Sequence, residues 1–255
     1  MALVAGLAAC ARQPPPPQSH YVPDATPTQA AVVQAPDSPG SPQVASFVDN
    51  FDRPDTDFGL GEGWELRGVP STGFVLPTTK DGFIKGNYFT YGGTDDVLAI
   101  RTLRGTLKSI GAVGRFRMVG LGGLTIFTMG TSGDSDLSAN NVSFVSSRTY
   151  WALKVRATDG VDKTVAQGQY AVPLELDRDY RFELDTDGVT ATVKGTGLAV
   201  TKPLPTQITP GSVGCWGLVR SRSPLGQFFD VKTVWAVEDG VASSVIDGEA
   251  AGTAH

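Results

Sequence analysis

Cysteine and histidine are scarce in this chain of 255 residues, which contains only Cys10, Cys215, His20 and His255. One cysteine lies near the start and the other inside an apolar stretch, so a stabilising disulfide framework is excluded. Both histidines lie outside the segments with strand signals, and no Ser-His-Asp or Cys-His arrangement is expected. The sequence also has no Walker loop and no zinc-type spacing of Cys and His. Histidine-based and zinc-based catalysis are therefore not expected.

Charged residues and long apolar runs are also few. Charged residues make up 18% of the chain, the formal net charge is -5, and no run of lysine or arginine occurs. Nothing in this distribution favours nucleic acid or an anionic membrane surface as a partner. No segment approaches the roughly 18 consecutive apolar residues of a transmembrane helix. We expect no transmembrane span, so any membrane attachment would be through a lipid anchor.

Residues 1–10 are small and apolar and end in L-A-A-C. These four residues resemble a bacterial lipobox, which implies cleavage before Cys10 and lipidation of that cysteine. The preceding stretch is short for a signal peptide and lacks basic residues. Two interpretations follow: a lipid-anchored protein whose start codon lies further upstream, or an unstructured apolar N-terminus.

Residues 11–46 contain nine of the seventeen prolines and only three charged residues. Proline fixes φ and removes a hydrogen-bond donor, so neither a helix nor a sheet ladder is expected here. The segment is predicted to be a Pro-rich linker, serving as a stalk between an anchor and a domain, or an arm that orders within an assembly.

Residues 47–238 show the alternation of apolar and polar positions that is typical of half-buried antiparallel strands. It is clearest at 151–156, 180–185 and 189–194, and Asp187-Gly188 between the last two predicts a type I′ hairpin turn. The predicted fold is all-β, a two-sheet antiparallel β-sandwich. Residues 239–255 are predicted to be a flexible tail. Further predicted strands are 44–51, 64–69, 82–91, 96–102, 112–119, 123–129, 141–146, 212–219 and 228–237.

Three segments resemble parts of a known fold. They are the hairpin Y-R-F-E-L-D-T-D-G-V-T-A-T-V-K-G at 180–195, the late strand pair at 211–219 and 228–237, and the opening D-x-F-x-R at 49–53. They are similar to concanavalin A-like and laminin-G-like jelly rolls, as found in actinobacterial surface lipoproteins and actinobacteriophage minor tail proteins. The resemblance implies a lectin-like fold more strongly than any one function.

Glu183 and Asp185 are weak catalytic candidates. Laminarinase-type glycoside hydrolases resemble this fold and carry two carboxylates on one strand, which places both beside one sugar at about 5–5.5 Å for retaining chemistry. Here the second glutamate is missing, and Asp187 in its place belongs to the turn. We therefore expect a solvated polar face and no enzyme activity.

Carbohydrate ligands would require aromatic platforms beside amides or carboxylates. The segment 86–96 offers that mixture, and Trp151 offers a further ring; the alternative is ordinary strand packing. The candidate ligand-binding residues are Asn87, Tyr88, Tyr91, Asp95, Asp96 and Trp151.

No cofactor is required by these motifs, although calcium is a candidate at two acidic loops. One holds Asp52, Asp55 and Asp57, and the other holds Asp134 and Asp136. Polar turns of the same composition are the alternative. In the first loop Arg53 is expected to pair with an aspartate, and Phe51 and Trp64 are expected to anchor the loop in the core.

Three functions remain open. The first is a non-catalytic binding module that contacts glycan or a surface protein from an extracytoplasmic, lipid-anchored position. The second is a minor tail protein that packs against neighbouring virion subunits. The third is a glycoside hydrolase of the laminarinase type.

Overall fold

The computed structural model describes residues 43–54, 60–67, 78–80, 83–85, 97–117, 126–133, 139–220, 229–241 and 244–246. All regular structure in these ranges is β-strand, and within them no helix has the length and apolarity needed to cross a membrane. The first nine strands are β1 (Gln43–Ala45), β2 (Phe47–Asp49), β3 (Glu65–Arg67), β4 (Thr78–Lys80), β5 (Phe83–Lys85), β6 (Val97–Thr102), β7 (Leu107–Phe116), β8 (Ile126–Ser132) and β9 (Asn141–Ser146). The others are β10 (Tyr150–Arg156), β11 (Asp162–Gln169), β12 (Asp179–Thr186), β13 (Thr190–Gly195), β14 (Leu198–Pro203), β15 (Val213–Arg220), β16 (Phe229–Glu238) and β17 (Ser244–Ile246).

The strands form two large antiparallel sheets. One has seven strands in the order β11-β10-β9-β8-β15-β6-β3. The other has eight strands in the order β14-β13-β12-β7-β16-β5-β4, with β2 pairing alongside β16. This arrangement confirms the predicted all-β, two-sheet antiparallel sandwich.

The core between the sheets is formed by the apolar positions of each alternating strand. On β12, Phe182 and Leu184 are fully buried, while Glu183 and Asp185 lie on the opposite, outward face. Phe127 of the seven-stranded sheet stacks on Phe229 of the eight-stranded sheet, with ring centroids 4.6 Å apart. Period-two alternation therefore fixes which carboxylates of β12 reach the surface.

The pattern did not predict β4, β11, β14 or β17. Of these, β11 and β14 each lie at one edge of a large sheet. Both are largely exposed, and Asp162–Gln169 carries few apolar side chains. Each packs only a few side chains against the core, Leu198 and Val200 from β14 and Val165 and Ala166 from β11, and such a strand gives only a weak alternating pattern. β7 also begins at Leu107, five residues before the predicted start. A register shift opposite Val237 and Glu238 interrupts the alternation of buried and exposed residues at this end of the strand.

The prediction of a type I′ turn at Asp187-Gly188 is wrong. A type I′ turn needs positive φ at both central residues, and of these two only Gly188 has it, at +85°. β12 and β13 are instead joined through residues 187–189, held by the Asp187 carboxylate. The two-residue turn with positive φ at both positions lies between β13 and β14, where Thr196 has φ +55° and Gly197 +75°.

The arm and the tail each contribute a strand. β1 and β17 pair with each other, from Gln43 opposite Ile246 to Ala45 opposite Ser244. Both lie outside the 47–238 range predicted for the sandwich, and β17 lies in the predicted flexible tail. The junction is held by Ser46, whose hydroxyl donates to the buried carboxylate of Glu238 at 2.9 Å.

Candidate functional site

The acidic loop that opens the domain is organised around the carboxylate of Asp49. It accepts hydrogen bonds from the Phe51 backbone N–H and the Trp64 indole N–H, both at 2.9 Å, and it pairs with the Arg53 guanidinium. Phe51 is fully buried and Trp64 packs against the core. The predicted Arg53 pair and the two aromatic anchors are confirmed, so this part of the loop holds the entrance of the fold together.

The calcium hypothesis stays a prediction. Asp52 is exposed, whereas Asp55, Asp57, Asp134 and Asp136 lie outside the described residues. Among the residues that the structure describes, no group of three or more His, Cys, Asp or Glu side chains is arranged to hold a metal ion.

Most of the predicted ligand-binding residues cannot be placed. Asn87, Tyr88, Tyr91, Asp95 and Asp96 lie outside the described residues, as does Cys10. Trp151 is placed, and it faces the core with 7% of its surface exposed. It packs there because the apolar parity of β10, which includes Leu153 and Val155, points between the sheets. Trp151 is therefore not a surface platform.

Glu183 and Asp185 are brought together on the outward face of the eight-stranded sheet. Lys194, directly opposite Glu183 on β13, places its ammonium 3.3 Å from Glu183 Oε1 and also pairs with Asp185. Arg181 donates to Glu183 Oε2 at 3.4 Å. Hydrogen bonding to Asp185 raises the pKa of Lys194 despite partial burial. Lys194 and the two acidic side chains thus form one ion-pair cluster.

Asp187 has a different role from its neighbours. Its Oδ1 accepts from the backbone N–H groups of Thr190 and Val189, at 2.6 and 2.8 Å. These bonds stabilise the ionised form and lower the pKa of Asp187. A carboxyl group with a lowered pKa is deprotonated at neutral pH, so it cannot serve as the proton donor of a glycosidase.

A shallow groove of about 450 Å³ lies at this end of the sheet, beside the β12–β13 loop. Its lining combines carboxylate and hydroxyl groups with a larger share of apolar atoms. The polar residues in it are Thr106, Lys108, Asp185, Thr186, Asp187, Thr190, Thr192 and Asp239. The Lys108 ammonium and the Asp239 carboxylate pair across it at 2.9 Å. Such a surface presents several hydrogen-bond acceptors to a polyhydroxylated ligand.

Next to the cluster lies Trp235, which sequence reasoning did not single out. It faces outward from β16, yet only 1% of its surface is exposed. Its ring lies over Gly111 of β7 and beneath the Arg181 guanidinium, which is 4.1 Å from the ring centroid. A register shift between Val231 and Thr233 sets this outward parity. No feature of the β16 sequence reveals that shift.

Comparison with known proteins identifies the fold. No family model and no curated protein sequence matches the chain. Solved structures do match. A β-glucanase of Bacillus licheniformis has a TM-score of 0.52 at 11% sequence identity, and the match covers 75% of this chain and 97% of that one. LamA of Zobellia galactanivorans in complex with laminaritriose and laminaritetraose has a TM-score of 0.54 at 10% identity, covering 77% of this chain and 99% of that one. A Bacillus subtilis protein of unknown function with a galectin-like fold has a TM-score of 0.52 at 12% identity, covering 78% of this chain and 99% of that one.

These similarities define the class as a two-sheet jelly roll. Within that class, the domain is a concanavalin A-like jelly roll, as the segments 180–195, 211–219 and 228–237 predicted. At 10 to 12% identity the similarity establishes the fold alone.

Proposed function

We propose that this protein is a non-catalytic carbohydrate-binding module whose ligand lies on the outward face of the eight-stranded sheet, beside the groove. The observation that carries this proposal is the concentration of carboxylate and hydroxyl groups around Asp185 and Thr192 on a rigid sheet. Supporting it, LamA has a similar fold and is described in complex with laminari-oligosaccharides. Carboxylates and hydroxyls are the groups that bind sugar hydroxyls by hydrogen bonds.

The same cluster argues against hydrolysis. A retaining glycosidase needs one protonated carboxylic acid and one free carboxylate beside the bond that breaks. Here Glu183 and Asp185 both form ion pairs with the same Lys194 ammonium, so the two carboxyl groups are not divided into a proton donor and a nucleophile. Asp187, the third acid of the strand end, is held ionised by backbone N–H groups. No carboxyl group on this stretch of β12 is arranged to deliver a proton.

The binding proposal is tested by isothermal titration calorimetry with laminaritetraose. We expect Asp185→Asn to weaken binding by about three- to tenfold, the equivalent of one ordinary hydrogen bond, because the amide keeps one acceptor oxygen but loses the charge. Asp159→Asn is the matched control, because Asp159 is an exposed aspartate in the β10–β11 loop, outside the groove. Failure of the wild-type protein to bind laminaritetraose, or equal effects of the two variants, would contradict the proposal.

The absence of catalysis needs its own assay. Wild-type protein incubated with laminarin should release no reducing ends above those of a heat-denatured sample. Release of reducing ends that disappears in Glu183→Gln would show that the module is a hydrolase.

We further propose that the domain is held at a cell surface through a lipid on Cys10. The support is the L-A-A-C sequence at 7–10 followed by the Pro-rich segment. Mass spectrometry of protein purified from its native cells should find a diacylated N-terminal Cys10. A chain that begins at Met1 would rule out the anchor.

A further inference from the structure

Trp235 occupies a space that only glycine leaves open. Its indole lies across the β7 backbone at Gly111, where an added Cβ would come within 1.9 Å of Trp235 Cζ2. Trp235 and Glu183 both pair with Gly111 in register, one from β16 and one from β12. The ring is therefore held flat in the sheet surface, directly beside the carboxylate cluster.

The outward side of the Trp235 ring is covered by the long side chain of Arg181. The Arg181 guanidinium lies 4.1 Å from the ring centroid, and its side chain is 43% exposed. Its hydrogen bond to Glu183 is long, at 3.4 Å. A cation–π contact of an exposed arginine is weak enough to be exchanged for another partner. Rotation of Arg181 would uncover the ring without changing the backbone.

Two unsatisfied polar atoms lie on the same face. Among the described residues, Ser109 Oγ and Trp235 Nε1 are the buried side-chain polar atoms that have no hydrogen-bond partner. Ser109 pairs in register with Asp185, two positions along β7 from Gly111. Trp235 is 1% and Ser109 6% exposed, so both lose their contacts with bulk water. Buried donors without partners are rare in proteins and call for a ligand or water that is not seen.

We infer that Trp235 is a latent stacking platform for an uncharged sugar ring, and that Arg181 covers it when no ligand is bound. The inference rests on the proposed function and adds a second position to that site, next to the groove at Asp185. The apolar face of a sugar would replace the guanidinium over the indole, since aromatic rings pack against such faces. Glu183, Asp185, Ser109 Oγ and Trp235 Nε1 would then meet the hydroxyl groups around its edge.

The cover is tested first without ligand, by counting tryptophans that N-bromosuccinimide oxidises. Trp64 is partly buried, whereas Trp151, Trp216 and Trp235 are buried. Arg181→Ala should make one additional tryptophan per chain reactive, and saturating laminaritetraose should protect it again. Arg178→Ala is the matched control, because Arg178 also lies over an aromatic ring, Tyr180, at 5.9 Å. It should leave the count unchanged.

The affinity for laminaritetraose is the second measurement. Arg181→Ala should tighten binding by about two- to fivefold, because the cation–π contact no longer competes with the sugar. Trp235→Leu should weaken binding by about tenfold where the variant folds. Arg178→Ala should match the wild type.

The outcomes separate this inference from the proposed function. A wild-type protein that does not bind laminaritetraose contradicts the proposed function. If the sugar binds but Arg181→Ala weakens binding, or leaves the number of reactive tryptophans unchanged, then Arg181 does not cover a platform and the inference is overturned. An exposed tryptophan that laminaritetraose does not protect overturns it as well.

Discussion

The Asp187 carboxylate closes the loop between β12 and β13. One oxygen accepts from two backbone N–H groups and, at 3.1 Å, from the Thr190 hydroxyl. Aspartate is suited to this position because its short side chain reaches the backbone of the residues that follow it. The same three bonds explain why the pKa of Asp187 is lowered.

Two substitutions of Asp187 should distinguish the contribution of its hydrogen bonds to stability from the contribution of its charge. Asp187→Ala should lower the free energy of unfolding by about 1–2 kcal/mol at pH 7, because two backbone donors lose their acceptor. Asp187→Asn keeps an acceptor oxygen and should cost less. The check is urea denaturation at pH 7 and at pH 3.

The pH dependence of that comparison has a definite sign. The folded pKa of Asp187 lies below its unfolded value, so the stabilisation is present above the unfolded pKa of about 3.9 and is lost as pH falls through the folded pKa. The free energy of unfolding of the wild type should therefore exceed that of Asp187→Asn by less at pH 3 than at pH 7. A gap that is constant or grows on acidification would contradict this role.

At the residue scale, the opening loop shows what a sequence can and cannot predict. Arg53 among several aspartates predicts an ion pair, and Phe51 and Trp64 predict core anchors, and both are confirmed. The choice of Asp49 as partner was not predictable, because it depends on the left-handed φ of +55° at Phe51. That conformation is uncommon for a bulky residue and is set by the surrounding packing.

At the scale of elements, two glycines with positive φ test how much a loop depends on its surroundings. Gly188, at +85°, lies in the β12–β13 loop, where an added Cβ would come 2.2 Å from the Ile208 carbonyl oxygen. Gly240, at +72°, follows β16, and an added Cβ there would meet nothing within 4 Å. The two positions therefore share the backbone strain and differ in the steric clash.

Alanine at each position should give different losses of stability. Gly240→Ala should cost about 1–2 kcal/mol, the price of left-handed backbone for a residue with a Cβ. Gly188→Ala should cost at least about 3 kcal/mol, because the Ile208 carbonyl must also move. Chemical denaturation of both variants gives the comparison. Equal losses of stability in the two variants would show that the segment carrying Ile208 can move away from the added Cβ at no energetic cost.

Edge strands and turns are the elements that the sequence predicted least well. β10, β12 and β13 lie inside their sheets and alternate clearly, and they were predicted almost to the residue. β11 and β14 contribute little to the core, with Leu198 as their one buried residue, so burial imposes little pattern on them. The outward platform at Trp235 was missed for a related reason, because a register shift reverses the parity of β16.

At the scale of the whole molecule, the sandwich follows from composition and alternation, but the partners of each strand do not. β7 and β16 lie side by side at the centre of one sheet although more than a hundred positions separate them in sequence. Such pairings depend on non-local packing, which a local pattern does not encode. The pairing of the arm with the tail belongs to the same class: the predicted strand 44–51 overlaps β1, but β17 lies in the predicted flexible tail, and no local pattern indicates that the two pair.

The arm is held at two places, and removal of residues 242–255 should separate them. The deletion removes β17, the partner of β1, but it leaves Ser46 bonded to the Ala236 carbonyl and to Glu238, and β2 paired with β16. We expect the free energy of unfolding to change by less than about 1 kcal/mol, since an isolated two-stranded ribbon is marginally stable. Hydrogen exchange of residues 43–45 should become fast while residues 47–49 stay protected. Ser46→Ala in the truncated chain should then raise exchange at residues 47–49, because it removes the side chain that ties the arm to Glu238. Loss of protection at residues 47–49 on truncation alone would show instead that the tail strand holds the whole entrance of the fold.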